Sequence, residues 1–154
     1  MHEHPDPSGE EFCTGLLCRP DLPRSVLSLI AAGHPLPYLV RGGTVQVLDL
    51  PHQPPFGMLP ATRYVAVDHP LQPGDRVVLL TDGMLERNAT SLDIPSLLTR
   101  TRDSHPREAT RALADLVLEA VGHELADDAT LLVLDWHGQH GQDRVTTAGA
   151  PTDR

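Results

Sequence analysis

The sequence predicts an α+β fold, a mostly antiparallel β-sandwich flanked by helices. Three observations carry that expectation. Short apolar or alternating runs, bounded by Gly and Pro, fill the first two-thirds of the chain. The apolar period then becomes helical, and one more run of strand length follows it. Strands, then helices, then a closing strand lack the regular alternation that a parallel sheet would need.

The elements follow in order. Residues 1–10 are polar and rich in Pro and Glu, so a disordered or severed edge is expected there. Strands are expected at 12–18, 26–31, 36–40 and 44–50. Gly42-Gly43 parts the last two at hairpin distance, where positive φ is required and glycine adopts it without steric cost. A short alternating run covers 64–67, and the turn signal Pro73-Gly74-Asp75 leads into an apolar strand over 76–81. A short helix is expected around 94–102. Between Pro106 and Val121 the apolar residues Ala109, Ala112, Leu113, Leu116, Val117, Ala120 and Val121 form one helical stripe. Pro106 suits its first turn, Glu108 its positive end, and Gly122 stops it. A closing strand is expected at 130–136, and the tail 138–154 has no apolar period and is read as disordered. One domain over 11–137 results.

Composition narrows the function. The chain has 154 residues, enough for one domain with a real core. Its 12 basic residues are all arginine, against 21 acidic ones, for a net charge of −9. The arginines are scattered, so nucleic acid and anionic membranes are poor partners, because phosphate neutralisation needs clustered cations. No apolar run approaches the ~20 residues that span a bilayer, and the start lacks the basic and apolar regions of a signal peptide. A cytoplasmic location is expected. Cys13 and Cys18 lack the partner pair of a zinc site and are read as reduced core residues.

Three places can carry chemistry. Asp82 directly follows an apolar strand, and Gly83 lets the backbone turn away from it. Such a carboxylate either bonds its own turn or faces a cleft, rigidly held. Asp127-Asp128 adjoins the closing strand, where two adjacent charges are either solvated or compensated by a cation. Two strand-end aspartates in one small domain suggest a shared divalent site, and oxygen-only ligands favour Mg²⁺ or Mn²⁺ over zinc. His34, in Gly33-His34-Pro35, is a ligand, a phosphate-facing donor or a structural histidine.

At this point the motifs fall into a series. Ala32-Gly33-His34-Pro35, Pro55-Phe56-Gly57, Leu71-Gln72-Pro73-Gly74-Asp75 leading into Thr81-Asp82-Gly83-Met84-Leu85-Glu86, and Asp127-Asp128-Ala129-Thr130 stand in order. Together they resemble the C-terminal part of a PPM-type (protein phosphatase 2C-like) serine/threonine phosphatase of the SpoIIE branch. The resemblance implies a β-sandwich flanked by helices, with two Mn²⁺ or Mg²⁺ ions at one end. By that resemblance Asp82 and Asp127 are metal ligands, with Asp128 and Gly83 just behind them. His34 belongs to the same group, without a role that the resemblance defines. The implied chemistry is in-line attack of a metal-activated water on phosphoserine or phosphothreonine. The implied partner is a phosphorylated regulatory protein, such as an anti-sigma-factor antagonist in bacterial partner switching.

The family's N-terminal Gly-Gly-Asp and Asp-x-x-Gly-His-Gly segments do not occur in this sequence. Two dications carry +4, and Asp82 with Asp127 supplies −2. At most one weakly held metal and slow hydrolysis are therefore expected of this chain alone. The alternative is a truncated, non-catalytic remnant that binds a partner without turning it over.

Overall fold

The computed structural model describes residues 12–81, 93–120 and 129–139. Among them the order is β1 (Gly15–Asp21), β2 (Val26–Ala32), β3 (Tyr38–Arg41), β4 (Thr44–Val47), β5 (Val67–Pro70), β6 (Arg76–Leu80), α1 (Ile94–Arg100), α2 (Pro106–Ala120) and β7 (Leu131–Asp135). The strands form two sheets, β1-β2-β5 and β4-β3-β6-β7, with every pairing antiparallel. This is the expected α+β sandwich.

Side-chain alternation along β6 shows how the layers stack. Val78 and Leu80 join Ile94, Leu97, Leu98, Leu113 and Val117 beneath the two helices. Their neighbours Val77 and Leu79 face the other way, onto Leu27, Leu29, Ala31 and Leu39 between the sheets. α2 therefore buries one stripe, with Ala109, Leu113 and Val117 each at most 3% exposed. α1 begins at Asp93, whose carboxylate accepts from Ser96 N at 3.1 Å and from the Ser96 hydroxyl. Those bonds hold the exposed Asp93 carboxyl below its ordinary pKa. No described helix is long and apolar enough to cross a membrane.

The β3–β4 hairpin turns as its sequence requires, with φ of 55° at Gly42 and 82° at Gly43. Two expectations are corrected. The run expected at 64–67 is paired only from Val67, where β5 lies in register with β2 from Leu29↔Val67 to Val26↔Pro70. Upstream of it the chain is claimed by other partners: Tyr64 Oη donates to Pro55 O, and Val65 N donates to Gln53 Oε1. Cys13 is exposed and not part of the core, because β1 starts only at Gly15. Cys18 is half-buried against the layer between the sheets, and burial pushes its thiol pKa up.

At the end holding the Gly42-Gly43 turn, two buried ion pairs lock the sheets to their loops. Asp75, 1% exposed, accepts from Arg41 Nε at 2.8 Å, Arg41 Nη2 at 2.6 Å and Gln72 N at 2.7 Å. That carboxylate raises the Arg41 pKa. Arg76 grips Asp135, its register partner on β7, at 2.6 and 2.9 Å. Its remaining donors reach Thr101 O and Ser104 O just past α1. On β7, Leu132 and Leu134 alternate with the helix-facing residues and stay exposed, at 49% and 38%.

Candidate active site

At the opposite end lie the described residues that adjoin the sequence-predicted site. Asp82, Gly83, Asp127 and Asp128 lie outside the described residues. Their neighbours in the chain are described, and they meet. Beyond the Leu80↔Leu131 pair, Thr81 N donates to Thr130 O at 3.0 Å, and Thr130 N donates to Thr81 Oγ1 at 2.8 Å. The chain therefore departs toward Asp82 and returns from Asp128 at adjoining points of one sheet.

His34 stands at this same end. β3 and β6 pair antiparallel with Tyr38 opposite Val78, so Leu36 and Leu80 both lie toward it. Residues 33–37 cross here from β2 in one sheet to β3 in the other. The crossing is rigid. Gly33 has φ +60°, and a Cβ on it would meet Pro55 Cγ at 2.7 Å. Gly33 N donates to Gln53 O at 2.9 Å, and the Gln53 amide bridges Ala31 O and both backbone groups of Val65.

The His34 ring is oriented by its neighbour, with Nδ1 2.9 Å from Pro35 O. A carbonyl oxygen only accepts, so Nδ1 carries the hydrogen and Nε2 is left for other work. A cavity of about 260 Å³ opens beside it, lined by His34, His52, Leu36 and the Gln53 strut among others. Sequence reasoning found His34 and missed His52 and Gln53. Both sit in Pro51-His52-Gln53-Pro54-Pro55, which has no period, and only the tertiary contact to Gly33 gives them a place.

Among the described residues no three His, Cys, Asp or Glu side chains gather to hold a metal. The acidic residues with suitable chemistry are Asp82, Asp127 and Asp128, hard oxygen donors on segments whose described ends adjoin. That donor set fits Mn²⁺ or Mg²⁺ and does not fit zinc.

The described residues form two antiparallel sheets with two helices on one outer face, and solved structures of the protein phosphatase 2C-like fold match them. The Mn-presoaked phosphatase domain of Bacillus subtilis SpoIIE superposes with a TM-score of 0.65 at 19% identity, covering 82% of this chain and 57% of that one. The RsbU and RsbW domains of a Mycobacterium tuberculosis protein give 0.68 at 22% identity, covering 82% and 37%. The SiaA-PP2C domain of Pseudomonas aeruginosa gives 0.63 at 22% identity, covering 79% and 50%. This chain thus spans less than two thirds of the length of each. Residues 2–137 match the family described as Stage II sporulation protein E (SpoIIE), and the chain belongs to that family. No curated protein matches its sequence.

Proposed function

We propose that this chain is the C-terminal part of a metal-dependent phosphoserine/phosphothreonine phosphatase, with Asp82 and Asp127 as metal ligands. The observation that supports this most is the Thr81–Thr130 clamp, which joins the two aspartate-bearing segments at one end of a phosphatase fold. A bound Mn²⁺ or Mg²⁺ would supply an activated water and neutralise phosphoryl oxygens. The chain's own contribution is positional. The clamp fixes where both segments start, and the Gly33–Gln53 lock holds His34 beside them. Asp128 and Gly83 stand behind these ligands in this reading. The substrate in this reading is a phosphorylated regulatory protein of a partner-switching pathway, in keeping with an RsbU-type structural relative.

A second reading has two observations behind it. The chain covers only 57% of the Bacillus phosphatase domain, and its sequence holds no Asp-x-x-Gly-His-Gly segment. It then serves as a binding module that retains a phosphorylated partner without hydrolysing it. Titrating Mn²⁺ into the chain with a phosphoserine peptide separates the two. Slow phosphate release that rises with Mn²⁺ and disappears in Asp82→Asn supports the enzyme. Peptide binding without release supports the module, and release indifferent to both Mn²⁺ and Asp82 overturns the metal assignment.

A further inference from the structure

We propose that the cavity between His34 and His52 is a phosphate-binding subsite, one that receives a phosphomonoester or its released phosphate. The proposal rests on the phosphatase reading for the kind of anion, and on the cavity itself for the rest.

The cavity, at about 260 Å³, has room for a phosphate group with some of its water. Among the described residues its titratable lining groups are His34 and His52, with no carboxylate. In a chain of net charge −9 that lining carries no described group to repel an anion. Gln53 is no competitor for the ligand: its amide already serves Ala31 and Val65. Among the lining side chains, the polar atoms left to a ligand are therefore the imidazole nitrogens.

The His34 geometry decides which atom works. With Nδ1–H committed to Pro35 O, a hydrogen bond to a phosphate oxygen must come from a proton on Nε2. The charged ring then offers a charge-assisted bond, shorter and stronger than a neutral one. Gly33 and Gln53 fix the backbone on which the ring sits, and the Pro35 carbonyl orients the ring itself. His52 is a second imidazole in the same lining. Two imidazoles without a described carboxylate or thiol also make a poor metal site, which favours the anion over a cation.

The experiment is an NMR titration of the full chain, carried out in EDTA, following histidine ring carbons and leucine methyls. The probes are inorganic phosphate and O-phosphoserine. Saturable shifts at His34 and His52 are expected, with exposed His105 and the core methyls of Leu29 and Leu98 unmoved. His34→Gln should weaken binding about tenfold, the size of one lost charge-assisted bond. His52→Gln provides the same test should His34→Gln disturb the fold, which the Leu29 and Leu98 methyls report. Tighter binding of O-phosphoserine assigns the subsite to substrate, and tighter binding of inorganic phosphate assigns it to product; either supports the proposal. Shifts spread over all histidines, or unchanged affinity in both variants, overturn it. Saturation by Zn²⁺ alone with no response to phosphate overturns it as well. Because EDTA removes the metal, phosphate binding without Mn²⁺-dependent turnover would sink the phosphatase reading and leave the subsite standing. Turnover without any response at His34 would do the reverse.

Discussion

The two ends of the sandwich are built from different materials. At the hairpin end, buried Asp75 holds the partly exposed Arg41, and the buried Arg76 pairs with Asp135 and bonds two carbonyls past α1. At the other end the described fastenings are neutral: a threonine hydroxyl, backbone amides and the Gln53 side chain. A salt bridge placed there would compete with the cations and phosphoryl groups that the aspartates and histidines are proposed to meet. Holding the proposed site with neutral bonds leaves its charges uncommitted. The lesson is a division of labour within one small fold, charge for cohesion at one end and, in the proposed site, charge kept for chemistry at the other.

Substitutions can break this contrast, and the largest effect belongs to the cohesive end. Asp75→Ala leaves Arg41 without its partner and Gln72 N without an acceptor, and Asp135→Ala strands the buried Arg76. Each should cost about 3–5 kcal/mol in urea unfolding. A loss under about 1 kcal/mol would mean that these pairs behave like surface ones. Gly33→Ala comes next. It forces φ +60° on a residue with a Cβ and drives that Cβ into Pro55, so about 1–3 kcal/mol should be lost. Phosphate affinity should fall with it, as the cavity's own turn shifts.

Thr81→Val sharpens the contrast from the other side. Removing the hydroxyl that accepts from Thr130 N should cost about 1–2 kcal/mol in the same assay. Any Mn²⁺ response of the chain should weaken more than its stability does.

The smallest effect is a dependence on pH that belongs to neither end. His69 on β5 has a buried Nε2 with no hydrogen-bond partner among the described residues. Burial lowers its pKa, against the opposing pull of Asp49 and Asp68. The unfolded chain therefore binds a proton that the folded chain resists. The associated stability is complete above the unfolded value of about 6.5 and declines as pH falls through it toward the lower folded value. His69→Gln should flatten that decline in thermal melts between pH 5 and pH 7.5.

How much of this was legible in the sequence depended on how local each signal was. The Gly42-Gly43 hairpin, the strand after Pro73-Gly74-Asp75 and the stripe of α2 each declare themselves within a few residues, and the structure has them where expected. β5 does not: its place depends on Ser28 and Leu29 far upstream and on Gln53 taking the preceding residues. Cys13 was misplaced for a related reason. Its apolar neighbours suggested a core strand, whereas its one pairing is an isolated bridge to Phe56. Of the proposed site, the aspartates were legible because they follow or precede apolar strands. His52 and Gln53 were not, since proline-rich loops acquire meaning only from what they touch.

The prolines of the smaller sheet have one more consequence. Its two outer strands are β1 and β5, and each contains a residue without an amide hydrogen, Pro20 and Pro70. That sheet is finished on both margins, because a newcomer would find the ladder interrupted whichever side it chose. β7, on the margin of the larger sheet, has no proline and shows two leucines to solvent. Among the described residues, the proline-free margins are both on the larger sheet, at β7 and at β4 with its exposed Val47.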